Sequence, residues 1–227
     1  MRLKMAAALI TGIVTMMMMT STLWAGTLNF NFTTGPSGKK GTQLTYTSGG
    51  FSITANGYQV YRGITYKDDL YVKTSGGDES GLGLANEDDH EIDTSQFIQL
   101  DLANLADAGI FSGELTIGSV QHGEGYSVCT SSELGKLGDC GLHGTLDATP
   151  FEVSWSATDP ILGVTAWVPR NGNCDADVLL MDLSASTPTS PTPEPASLAL
   201  VGTGLCGLAF ICRRYSKRSQ VKDQDSA

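Results

Sequence analysis

Basic residues are scarce between the two ends of this chain. Within Gly26–Pro195 there are seven Lys and Arg against 22 Asp and Glu, so that stretch is near −15. A surface so short of cations argues against nucleic acid or anionic lipid as partners, because both are held by a positive face. It suits solubility, divalent cations and neutral polysaccharide. Cysteine is sparse as well. Only Cys129, Cys140 and Cys174 lie in the same stretch, at spacings that match no zinc site. His122 and His143 each neighbour glycine in segments expected to be loops. The chain also lacks the signatures of common catalysts. Gly81-x-Gly83 has no third glycine, no lysine and no following helix, so it is not a phosphate loop. No Gly-x-Ser-x-Gly elbow and no Ser/His/Asp set is legible.

The two ends are more informative. Arg2 and Lys4 precede the largely apolar Ala6–Met19, and Ala25 is a small residue suited to cleavage before Gly26, which together predict a secretory signal peptide. An uncleaved anchor is the alternative. Near the other end, the Ser/Thr/Pro stretch Ser184–Pro193 leads into Glu194-Pro195 and the apolar run Ala196–Cys212. Seventeen residues sit at the short end of the range for a spanning helix. Gly202, Gly204 and Gly207 fit the close packing of membrane helices. Arg213, Arg214, Lys217 and Arg218 follow at once and hold their side in the cytoplasm. The predicted organisation is a signal peptide over 1–25, an extracellular domain over 26–185 and a stalk over 186–195. A transmembrane helix over 196–212 and a basic cytoplasmic tail over 213–227 complete it.

Pro193-Glu194-Pro195, the run beginning Ala196-Ser197-Leu198, and Arg213-Arg214 occur in that order. The tail thereby resembles the PEP-CTERM sorting signal of bacteria that make extracellular polysaccharide. The resemblance implies recognition by an exosortase, a membrane protease, and removal of the tail near the motif. The protein would then reside in the cell envelope or the exopolysaccharide matrix. Thirteen residues follow Arg214, where many such tails stop soon after the arginines. The resemblance covers about thirty residues.

Between the ends, alternation of period two recurs at Thr27–Phe32, Phe51–Thr54, Gln96–Leu102, Glu114–Val120, Phe151–Trp155 and Asp177–Met181. Turn-forming clusters such as Thr34–Gly38, Asn56-Gly57 and Asn171–Asn173 separate them. Short strands at such intervals predict an all-β domain, a β-sandwich of jelly-roll type. Only Leu102–Ile110 reads as a short helix. An exported domain favours a disulfide. Cys129–Cys140 closes the shortest loop, with Gly135 and Gly138 to bend it, and leaves Cys174 over. Pairings of Cys174 with either of the others are the alternatives.

Asp78–Asp93 is the most unusual segment, with seven acidic residues among sixteen. Gly81, Gly83 and Asn86 predict an irregular backbone there. Ca2+ takes six to eight oxygen ligands, and Asp78, Asp88, Asp89 and Glu91 are its candidate ligands here. A solvated acidic turn is the competing reading. Glu91-Ile92-Asp93 also resembles the start of the Glu-x-Asp-x-x-Glu strand of laminarinase-like glycoside hydrolases, which work with paired carboxylates. Ser95 and Gln96 stand where the second acid is needed. Gly81–Leu84 with this strand is loosely similar to the bodies of many PEP-CTERM proteins without assigned chemistry.

Trp155 and Trp167 fall inside alternating strands and are expected in the core. Tyr58, Tyr61, Tyr66 and Tyr71 are open to either a packing or a sugar-stacking role. The expectation is an exported, non-catalytic binding or structural module, with exosortase and extracellular polysaccharide as partners. A hydrolase and a self-associating surface protein are the alternatives.

Overall fold

The computed structural model describes residues 26–86, 88–170 and 176–187, with Gly204 and Gly207. The expected signal peptide, Cys174, the sorting motif Pro193-Glu194-Pro195 with Arg213 and Arg214, and nearly all of the expected membrane helix lie outside these residues. Among the described residues no helix is long and apolar enough to cross a membrane.

Alternating side chains produce the strands. The chain forms β1 (Thr27–Asn31), β2 (Gly38–Gly41), β3 (Gln43–Ser48), β4 (Phe51–Tyr61), β5 (Ile64–Lys67), β6 (Leu70–Thr74) and β7 (Ser80–Leu84). It continues with β8 (Gln96–Asp101), β9 (Ser112–Gly118), β10 (Gly125–Ser131), β11 (Asp139–Gly144), β12 (Phe151–Ser154), β13 (Ile161–Trp167) and β14 (Leu179–Ser186). A short α-helix, α1 (Ala103–Asp107), follows β8 and buries Leu105 and Ala106. It falls inside the one segment whose apolar spacing suggested a helix.

The strands assemble into two antiparallel sheets. One runs β12-β9-β14-β7-β6-β2, with β1 also paired to β14. The other runs β11-β10-β13-β8-β4-β3, with β5 also paired to β4. The expected all-β sandwich is therefore the observed architecture. Phe30, Leu70, Leu82 and Leu84 from the first sheet and Ile53, Ala55, Ile98, Leu100 and Val164 from the second meet in one buried cluster. Each large side chain so buried contributes about 1.5–3 kcal/mol.

Two segments fold back over the outer faces, and both change the reading of the sequence. Ser80–Leu84, expected to be irregular, is a fully buried strand. Its glycines are there for approach rather than for flexibility. A Cβ on Gly81 would stand 2.7 Å from the Leu180 carbonyl oxygen, and one on Gly83 would meet the His90 carbonyl oxygen closer still. The acidic loop can therefore double back across β7, with the Leu84 N–H donating to the Glu91 carbonyl at 3.3 Å.

On the other sheet, the connection between β10 and β11 covers the outer face. Cys129 and Cys140 are joined by a disulfide at its base. Gln99, fully buried, accepts from the Gly135 N–H at 2.7 Å and donates to the Lys136 carbonyl at 2.7 Å. Beneath this flap Tyr58 and Phe97 stack at 5.0 Å between ring centroids.

Candidate functional site

The acidic segment is organised around a lysine that its own composition does not reveal. Lys73, on β6, donates to Glu79 at 3.0 Å and makes a short ion pair with Glu91. Glu91 is almost completely buried. The Ser119 hydroxyl, on a residue held at φ 60, lies 2.9 Å from Glu91 and 3.2 Å from Glu79. Burial raises the Glu91 carboxyl above its ordinary range, against the opposing pull of Lys73 and Ser119. The hydrogen bond from Lys73 lowers Glu79. Burial alone would lower the Lys73 ammonium, but its bonds to Glu91 and Glu79 outweigh that and raise it.

The four candidate calcium ligands are thus in different circumstances. Glu91 is engaged by Lys73. Asp88 and Asp89 are exposed, and Asp89 accepts the Glu91 N–H at 3.1 Å. The side chain of Asp78 lies outside the described residues. Among the described residues no three His, Cys, Asp or Glu are arranged to hold a metal.

A neighbouring carboxylate was not legible in the sequence. The bridge Ile92–Val178 sets Asp177 beside the acidic segment. Its carboxyl is pushed up to about 7 by burial first and then by Asp89, Glu91, Glu124 and Asp93. Glu124 is itself buried, which raises its carboxyl, and it accepts the Gln121 N–H at 2.8 Å. Only the distant pairing of 92 with 178 brings these groups together.

The aromatic residues separate into distinct roles. Trp155 is buried in the core, as expected. Trp167 is half-buried on the outer face of the second sheet, where it stacks on His143 at 4.8 Å. That corrects the expectation of a core residue, and His143 belongs to strand β11 rather than a loop. The Ser127 hydroxyl is 2.7 Å from His143 Nδ1. Tyr71 stacks on His90 at 3.8 Å.

Tyr61 and Tyr66 behave differently. They are 57 % and 49 % exposed, and Ile64 between them is 56 % exposed. The register pairs Tyr61 with Ile64 and Gln59 with Tyr66 across the β4–β5 ribbon. Because alternate residues share a face, Tyr61, Ile64 and Tyr66 all lie on one side of it, and the two rings are diagonal neighbours roughly 7–8 Å apart at their backbones.

A groove of about 600 Å3 crosses the outer face of the first sheet, lined by Ser112, Glu114, Glu152, Ser154, Ser184 and Ser186 among others. Glu114 is paired with Glu152 across β9 and β12. Neither carboxylate was singled out in the sequence, since each is a single polar residue in an alternating strand. Both are exposed. They are lateral neighbours on one surface rather than opposite walls of a cleft. Glu91 and Asp93, the carboxylates with a hydrolase-like spacing, are otherwise occupied. Glu91 is tied to Lys73, and Asp93 accepts the Ser95 N–H at 2.6 Å in a local turn.

Residues 191–214 match the family model of the PEP-CTERM protein-sorting motif. The chain therefore carries the sorting signal of an exosortase substrate and is an exported protein processed at the membrane. No curated protein and no solved structure matches the chain.

Proposed function

We propose that the β-sandwich is a non-catalytic module of the cell envelope or its extracellular matrix, and that it binds polysaccharide on the β4–β5 ribbon. The observation that carries this reading is the exposure of Tyr61, Ile64 and Tyr66 together on one face. Large rings are normally buried because each removes much apolar surface from water. Two left uncovered, diagonal on one face of the ribbon, offer successive planes for the apolar faces of sugar rings. The sorting signal supports the setting, since it directs the domain out of the cell. The test is affinity electrophoresis of the intact protein through gels containing soluble polysaccharides. Tyr61→Ala/Tyr66→Ala should abolish retardation while leaving the unfolding midpoint nearly unchanged, because exposed substitutions are typically within 0.5 kcal/mol of neutral. Retardation that survives the double substitution would refute the ribbon as the binding face.

One observation favours a second reading. Glu114 and Glu152 stand side by side in the groove on the first sheet, and paired carboxylates are the machinery of glycoside hydrolysis. That chemistry sets one carboxyl as the acid and the other as nucleophile or base across the sugar, whereas these two are exposed neighbours on one sheet face. Release of reducing ends from any tested glycan, lost in Glu114→Gln or Glu152→Gln, would replace the binding reading with this one.

A further inference from the structure

The net charge of the domain conceals an asymmetry along the chain. No Asp or Glu occurs before Asp68. Gly26–Lys67 instead contains Lys39, Lys40, Arg62 and Lys67, and it folds into β1 to β5. The β4–β5 ribbon therefore belongs to an acid-free part of an otherwise acidic domain. The two acids that follow it are neutralised or withdrawn. Asp69 pairs with Lys39 at 2.7 Å, and Asp68 is almost completely buried, accepting the Asp69 N–H.

The tip of the ribbon is built unusually. Tyr61 faces Ile64 directly, so Arg62-Gly63 is a two-residue turn, and both residues are left-handed, at φ 52 and 75. Such turns favour Asn-Gly or Asp-Gly, because left-handed backbone suits those residues and penalises a long side chain. Arginine occupies the position nonetheless, and its guanidinium carbon sits 5.1 Å from the centre of the Tyr61 ring. The ring holds one surface of the cation and leaves its N–H edge available. A planar guanidinium beside exposed rings fits a carboxylate attached to a sugar ring, since it can donate two parallel hydrogen bonds to the carboxylate.

We infer that the ribbon selects acidic polysaccharide, with uronate-type sugars stacking on Tyr61 and Tyr66 and a sugar carboxylate accepting hydrogen bonds from Arg62. This rests on the binding role given to the ribbon above. Lys67, paired opposite Tyr58, lies on the reverse face and adds only to the local field. The acid that the fold brings beside β4 is Asp93, two residues from Ser95, whose carbonyl accepts the Val60 N–H at 2.7 Å, and its carboxylate is occupied in accepting from the Thr94 hydroxyl and the Ser95 N–H. Nucleic acid is a poorer fit, as it needs many phosphate contacts along a cationic track.

The intact protein should be titrated with polygalacturonate and with its fully methyl-esterified form, which keeps the rings and removes the charge. The expected result is binding to the acid about tenfold tighter than to the ester, with the difference shrinking as salt rises. Arg62→Asn relaxes the turn and so keeps the fold. It should erase the preference for the acid and leave ester binding unchanged, while Tyr61→Ala/Tyr66→Ala should lose both polymers. Equal binding of acid and ester, unaffected by Arg62→Asn, would overturn the charge selection and leave the binding role standing. Failure of the wild type to bind either polymer would overturn both. Salt-sensitive association with phosphatidylglycerol vesicles, or self-association, lost in Arg62→Asn without any glycan binding, would reassign the ribbon to that partner and overturn the inference.

Discussion

The carbonyl of His90 passes through the space that a side chain on Gly83 would occupy. This crossing lets the acidic loop fold back over β7, and it places the His90 ring on Tyr71, the residue paired with Gly83 across the sheet.

Gly83→Ala should therefore destabilise the domain by about 2 kcal/mol or more, in the range of a forced steric misfit. Leu82→Ala, by contrast, should act through lost core volume at about 2–5 kcal/mol. Urea unfolding with hydrogen exchange at Leu84 and Ile92 separates the two. The glycine variant should lose protection first in the loop. Global loss with no local opening would show that the crossing is not what Gly83 permits.

Lys73 and Glu91 form a buried pair whose worth depends on both members. Removing only the lysine, as in Lys73→Met, leaves a desolvated carboxylate and should cost about 3–5 kcal/mol. Lys73→Met/Glu91→Leu should recover most of that loss, because replacing both partners avoids the stranded charge. A double-mutant cycle in denaturant checks this. Simple additivity of the two single substitutions would mean that Glu91 is satisfied without Lys73.

Asp177 makes a prediction about pH. Its carboxyl is raised from 3.8 to about 7 in the folded protein, so the folded state holds the proton more tightly than the unfolded chain. Its ionisation costs stability, and the cost is absent below the unfolded value, grows as pH rises between the two, and is complete above about 7. Asp177→Asn should be more stable than the wild type at pH 8, by on the order of 1 kcal/mol once solvent screening of this half-exposed group is allowed for. At pH 4 the two proteins should converge. A difference independent of pH would locate the effect in packing rather than charge.

Calcium should bind weakly. Six to eight oxygens are needed, and Glu91 is held by Lys73. Calorimetry of the intact protein with Ca2+ is expected to show no saturable sub-millimolar site. Saturable binding lost in Asp88→Ala/Asp89→Ala would establish one and make the acidic loop its seat.

The sequence was most readable where a signal is local. Leu28 and Phe30 alternate because one face of β1 is buried, and the same logic reached β8, β9, β12 and one end each of β4 and β14. Asn56-Gly57, expected to be a turn, instead lies inside β4, and β14 runs on to Ser186, where the stalk was expected to begin. It failed at Ser80–Leu84, where glycine looks like a loop residue until a second backbone is seen crossing it. It failed again at β11, where Asp139–Gly144 alternates little because the strand is largely exposed. Trp167 lies in a strand as anticipated, but alternation alone does not say which face of a sheet meets the core.

The sequence by itself determined the address and the class of fold, because a sorting signal is a contiguous string and strand periodicity is set by neighbouring residues. The tertiary structure alone decided the rest. It engaged Glu91 with Lys73, brought Asp177 to the acidic loop, set Glu114 beside Glu152, and left Tyr61 and Tyr66 uncovered while burying Tyr58. Each of these depends on which strands pair and in what register, and residues far apart in the chain meet only through that pairing.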